Sequence, residues 1–223
     1  DLRLSLRRSP VQPRLERLYR ELSARGLRFR PHVWLAADWF SPDGVPGFAV
    51  PFYLVHPRLA RLERRMSGIV EGSNANWQMR ILRHEAGHAF DSAYRLRRRA
   101  RWRALFGNAT RPYCARYHAR PSSRSHVQHL GDWYAQAHPT EDFAETFAVW
   151  LTPRSAWRRH YAGWPALHKI ETVDELLEEV RGTTPKVRAR TRIEPVCENT
   201  MTLAEHYRRR LAQRVRWRRS ASD

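Results

Sequence analysis

Apolar residues recur along the chain in runs that predict mostly helices. Leu15, Leu18, Tyr19 and Leu22 stand three and four residues apart between Pro13 and Arg25, which is the spacing of one helix face, with Gly26 as its stop. Phe29 to Phe40 predicts a strand that ends at the turn sequence Ser41-Pro42-Asp43-Gly44. Gly47 to Val55 is a short apolar run holding Pro51, and proline belongs at the edge or a bulge of a sheet. It predicts an exposed edge strand, which can pair with an extended peptide. A short helix is expected from His56-Pro57 to Met66. Beyond Ser73, a candidate N-cap, Trp77, Ile81, His84 and His88 mark one face of a longer helix. Pro139 and Thr140 open another, with the stripe Phe143, Phe147, Trp150 and Leu151 before the stop at Pro153.

The remainder also reads as helical. Ser155 to Tyr161 is a short amphipathic turn, broken by Gly163-Trp164-Pro165. Thr172 with Glu175 has the capping-box spacing and predicts a helix opening there and running to Arg181, with Gly182 as its end. Residues 182–195 are basic and extended in character. Thr202 with Glu205 repeats the capping box ahead of the narrow stripe Leu203, Tyr207, Leu211 and Val215. These elements predict an α+β fold, mainly helical, with a small mixed sheet. The length of 223 residues suits a main domain over residues 1–182 followed by a basic linker and C-terminal amphipathic helix over 183–223.

The chemistry lies in the two central helices. His84-Glu85-Ala86-Gly87-His88 places two imidazoles one turn apart, where both can grip a single ion, and zinc suits such ligands. Glu85 lies about 100° round the helix from His84. From there it can act as a general base on a metal-held water. Glu141 and Glu145 share a face of the second helix, and a catalytic zinc needs three protein ligands with one position open. Either glutamate can be the third ligand on this ground alone.

H-E-x-x-H followed by E-x-x-x-E on a second helix resembles the gluzincin metallopeptidases. The wording Glu141-Asp142-Phe143-Ala144-Glu145-Thr146-Phe147 is similar to the anthrax lethal factor catalytic domain and to bacterial zinc-binding metallopeptidases. The resemblance spans roughly residues 74 to 151. It implies a zincin-like fold whose edge strand flanks the zinc helix, one zinc ion per chain, and metalloendopeptidase activity on a peptide or protein substrate. It also implies that His84, His88 and Glu141 bind the zinc, that Glu85 is the general base, and that Glu145 hydrogen-bonds a ligand histidine. Tyr134, seven residues before Glu141, then stands where a phenol can donate to the oxyanion. His138 is its rival for that task or for the third ligand, and Pro139 biases it toward an extended backbone.

Charge and cysteine count alter this picture little. The net charge is +19 and the sequence pI about 11.3, which draws a protein toward nucleic acid or other anionic partners. Yet 39 of the 41 basic residues are arginine, a bias that a GC-rich genome produces throughout its proteins. The alternative function is therefore a nucleic-acid-associated protein with a structural zinc or an inactive peptidase fold. No acidic residue occurs from Ser92 to Gly131. The loop from Gly107 to Ser125 within that stretch is a candidate lid, and His118, His126 and His129 are stray candidate ligands. Cys114 and Cys197 lack a C-x-x-C partner and are expected to be ordinary thiols. No apolar run approaches the roughly 20 residues of a membrane span, and no signal-peptide core is visible, so a cytoplasmic location is expected. The chain begins with Asp1, which leaves room for an upstream segment.

Overall fold

The structure is a computed structural model that describes residues 3–114 and 117–222, with side chains described as far as residue 212. In chain order, helix α1 covers Gln12–Ala24, strand β1 His32–Ala36 and strand β2 Gly47–Pro51. Helices α2 (Pro57–Ser67), α3 (Ala75–Tyr94) and α4 (Ala100–Phe106) follow. Beyond a long loop come α5 (Pro139–Leu151), α6 (Trp157–His160), α7 (Pro165–Glu178) and α8 (Leu203–Ser222). The architecture is α+β and mostly helical. Among the described residues, no helix is long and apolar enough to cross a membrane.

The sheet differs from the expected one. Two parallel strands pair from His32↔Gly47 to Ala36↔Pro51, and among the described residues antiparallel pairing is limited to an isolated bridge between Phe40 and Ala49. Every residue of β2 is buried, so this run is not the exposed edge that Pro51 suggested. Ala49 N–H already donates to Phe40 O at 2.8 Å, and the strand packs on α3. Pro51 lies at the last pair of the ladder, where a missing donor costs least.

Helices α3 and α5 form the centre of the molecule. Asn74, not Ser73, caps α3: its Oδ1 accepts from Trp77 N–H at 2.9 Å, satisfying one of the donors that a helix start leaves open. All thirteen residues of α5 are buried, which explains why the apolar stripe read from its sequence understated it. A helix covered on every side carries polar groups only where they find partners. Around the pair, Phe90, Phe143, Phe147, Trp102 and Trp150 fill the core. A buried bidentate pair ties α1 to α3, with Arg83 Nε and Nη2 at 2.7 and 2.8 Å from the Glu21 oxygens.

The C-terminal third holds one agreement and one correction. The Thr202–Glu205 capping box forms, with Glu205 Oε2 accepting from Thr202 N–H at 2.9 Å. The Thr172–Glu175 box does not, because α7 already starts at Pro165, whose missing N–H suits a first turn. Thr172 is thus buried in mid-helix. The extended 182–195 stretch lies along the body. Val187 N–H donates to Ala93 O, His32 Nε2 to Thr191 O, and Trp34 Nε1 to Ile193 O. On α8, Tyr207 is buried and Leu211 exposed, while the side chain of Val215 lies outside those described.

Candidate metal centre

Close approach of α3 and α5 builds the site. A Cβ placed on Gly87 would stand 2.9 Å from Ala144 Cα and 3.2 Å from Phe147 Cβ, so glycine at this position lets the helix backbones come together. That contact brings the carboxylates of α5 within reach of the imidazoles of α3.

The hydrogen-bond roles then follow from chemistry. His84 Nδ1 lies 2.8 Å from Glu145 Oε1. An ionised carboxylate only accepts, so Nδ1 carries the hydrogen and Nε2 of the neutral ring is a bare lone pair. This Nε2 stands 3.0 Å from Glu141 Oε2 and 3.1 Å from His88 Nε2. His88 Nε2 is in turn 3.2 Å from the same Glu141 oxygen. His84 Nε2, His88 Nε2 and Glu141 Oε2 therefore converge on one point, an arrangement that a proton or a metal cation shared between them satisfies.

A proton serves in the metal-free protein. Burial opposes charge on His84, but the hydrogen bonds it donates to Glu141 and Glu145 outweigh it and hold the imidazole pKa well above its ordinary value. Burial likewise works against an ionised Glu141, yet His88 and His84 keep its carboxyl far below the usual range. A metal fits equally well. Tetrahedral zinc, with bonds of about 2.0–2.2 Å to nitrogen and oxygen, sets its ligand atoms roughly 3.3–3.5 Å apart. The present separations need little adjustment to meet that spacing. Two imidazoles and a carboxylate are also a donor set that zinc accepts. Among the described residues, His84, His88 and Glu141 form the cluster able to hold an ion.

Neighbouring groups complete the site. Glu85 is buried, and its Oε2 has no hydrogen-bond partner among the described residues. Burial raises its pKa, with His84 and His88 opposing. Glu145 is fully buried and also accepts from Leu130 N–H through Oε2 at 2.7 Å, so both of its oxygens are engaged. The Tyr134 ring lies 5.7 Å from that of His84. It follows two residues, Asp132 and Trp133, held in the left-handed region at φ 58° and 52°, a conformation that costs of order 1–3 kcal/mol per residue and recurs at functional sites.

The other candidate ligands point elsewhere. His138 is the N-cap of α5: its Nδ1 accepts from Thr140 N–H at 3.2 Å, and its Nε2 donates to Arg111 O at 2.9 Å. His129 Nε2 donates to Arg80 O, His126 faces Asp142 at 3.7 Å, and His118 is exposed. Cys114 and Cys197 are both exposed. Tyr113 is the residue that sequence reasoning missed. Its hydroxyl reaches Glu141 Oε1 at 2.5 Å from a loop with no periodicity to betray it.

Residues 79–215, well over half of the chain, match the family described as "Putative zinc-binding metallo-peptidase". The chain belongs to this family. The matched region takes in α5, α3 from Met79 onward, and the converging side chains of His84, His88 and Glu141. No curated protein and no solved structure matches the chain.

Proposed function

We propose that this metallopeptidase is of gluzincin type, with His84, His88 and Glu141 as its zinc ligands, in a zincin-like arrangement of α3 and α5. The observation that carries the reading is the convergence of His84 Nε2, His88 Nε2 and Glu141 Oε2 within 3.2 Å of one another. Zinc at such a centre supplies Lewis acidity and lowers the pKa of water. Glu85 is the general base: its carboxylate, whose pKa burial raises, takes a proton from the attacking water and returns it to the leaving amine. Burial and the nearby Glu141 carboxylate push the Tyr134 phenol upward. It therefore stays protonated and can donate to the oxyanion. Glu145 fixes the His84 tautomer, leaving Nε2 free to bind metal.

The test is elemental analysis of the purified protein beside Glu141→Ala and Glu145→Ala. One zinc per chain is expected in the wild type, with loss in Glu141→Ala and affinity roughly 10- to 100-fold weaker in Glu145→Ala. The opposite order would reverse the roles of the two glutamates. Mass spectrometry of an unfolded protein incubated with the zinc-loaded chain then separates internal cleavage, expected of an endopeptidase, from trimming at the ends.

A further inference from the structure

The two oxygens of Glu141 have different surroundings. Oε2 faces the histidines, whereas Oε1 meets the Tyr113 hydroxyl at 2.5 Å. Tyr113 lies in the loop between α4 and the Tyr134 turn, and that loop is clipped to the start of α5. The Tyr113 ring stacks on His138, with centroids 3.9 Å apart and planes within 11°. Next to it, Arg111 O accepts from His138 Nε2 at 2.9 Å, and Arg111 Nη2 donates to Ala137 O at 3.3 Å. Because His138 caps the helix that carries Glu141 three residues later, the loop and the carboxylate are held in one frame.

The direction of the hydrogen bond follows. Glu141 is ionised beside two imidazoles and can only accept, so the phenol donates to Oε1. The Tyr113 oxygen also lies 2.8 Å from the Thr140 hydroxyl, whose own hydrogen goes to His138 Nδ1 at 2.7 Å. A charge-assisted hydrogen bond of this length ranks among the stronger ones.

We infer that Tyr113 is a positioning residue for the metal centre: by engaging Oε1 it leaves Glu141 one oxygen to offer a metal, so the carboxylate binds through a single atom and a coordination position stays open. This rests on the reading of Glu141 as a zinc ligand. An open fourth position is what separates a catalytic zinc from a structural one.

The test compares wild type with Tyr113→Phe, which keeps the ring on His138 and removes only the hydroxyl. Tyr113 is 59% exposed, so the change opens no cavity, and the metal-free variant is expected to keep its fold, with a melting temperature lowered only by the loss of one hydrogen bond. Zn2+-loaded samples challenged with a chelator should show affinity roughly 10- to 100-fold weaker in the variant, the usual effect of losing a group that holds a ligand. With Co2+ in place of zinc, the visible band of the variant should weaken as the freed Oε1 joins the metal and raises its coordination number. Equal Zn2+ retention and identical Co2+ spectra overturn the inference while leaving the zinc site intact. A wild-type protein that binds no Zn2+ overturns the Glu141 reading, and this inference with it.

Discussion

The seam between α3 and α5 and the arginine-rich periphery use charged residues in opposite ways. In the seam, His84, Glu85, Glu141 and Glu145 are all buried, so each partner or missing partner sets a protonation state. At the periphery, Arg101 on α4 meets Glu175 on α7 and Glu179 just past its end at 2.9 and 3.5 Å, with side chains about half exposed or more. Water and salt screen such pairs. The net charge of +19 is therefore no guide to the candidate chemistry, which His84, Glu85, His88, Glu141 and Glu145 carry between the two helices. Asp142 shows the same contrast within one helix. It is buried against Lys169 at 2.5 Å, and burial still pushes its carboxyl up to about 6.

The largest effect expected from the seam is on catalysis. Glu85→Gln should keep zinc and lose roughly 10^2- to 10^4-fold in turnover of a peptide substrate, the usual contribution of a general base. Full activity in this variant would remove Glu85 from the mechanism and make the seam as inert as the periphery.

A smaller effect concerns pH. Burial pushes His129 down to about 4, whereas the unfolded chain takes up that proton near 6.5. The unfolded state binds more protons between these values, so the stability contributed by neutral His129 is complete above pH 6.5 and is lost as pH falls toward 4. The loss should reach about 2–3 kcal/mol in urea unfolding at the acid end. His129→Gln should flatten this part of the profile. An equally steep profile in the variant would assign the loss to other groups.

The smallest effect belongs to the surface. Arg101→Ala should change stability by no more than about 0.5 kcal/mol and leave zinc content unaltered. A loss of 2 kcal/mol or more, on the scale of buried pairs, would erase the distinction between seam and periphery.

Much of this arrangement was legible in the chain because it is local. A helix sets residues four apart on one face, so His84 with His88, and Glu141 with Glu145, could be paired before any fold was known. The turn of α1 at Gly26 and the Thr202–Glu205 cap were legible for the same reason. Local signals also misled where a neighbouring element overrode them. The capping box at Thr172 lost to a helix already begun at Pro165, and the apolar run at Gly47 became a buried strand because α3 and Phe40 cover it.

By itself, then, the sequence determined the helices, their chemical faces and the metal-binding residue types, since each depends on spacing within about one turn. Only the tertiary structure decided which oxygen of which glutamate meets which nitrogen. That choice depends on how closely Gly87 lets α3 approach Ala144, and on where a loop without periodicity lays Tyr113. Both are contacts between residues distant in the chain, and spacing along a sequence holds no record of them.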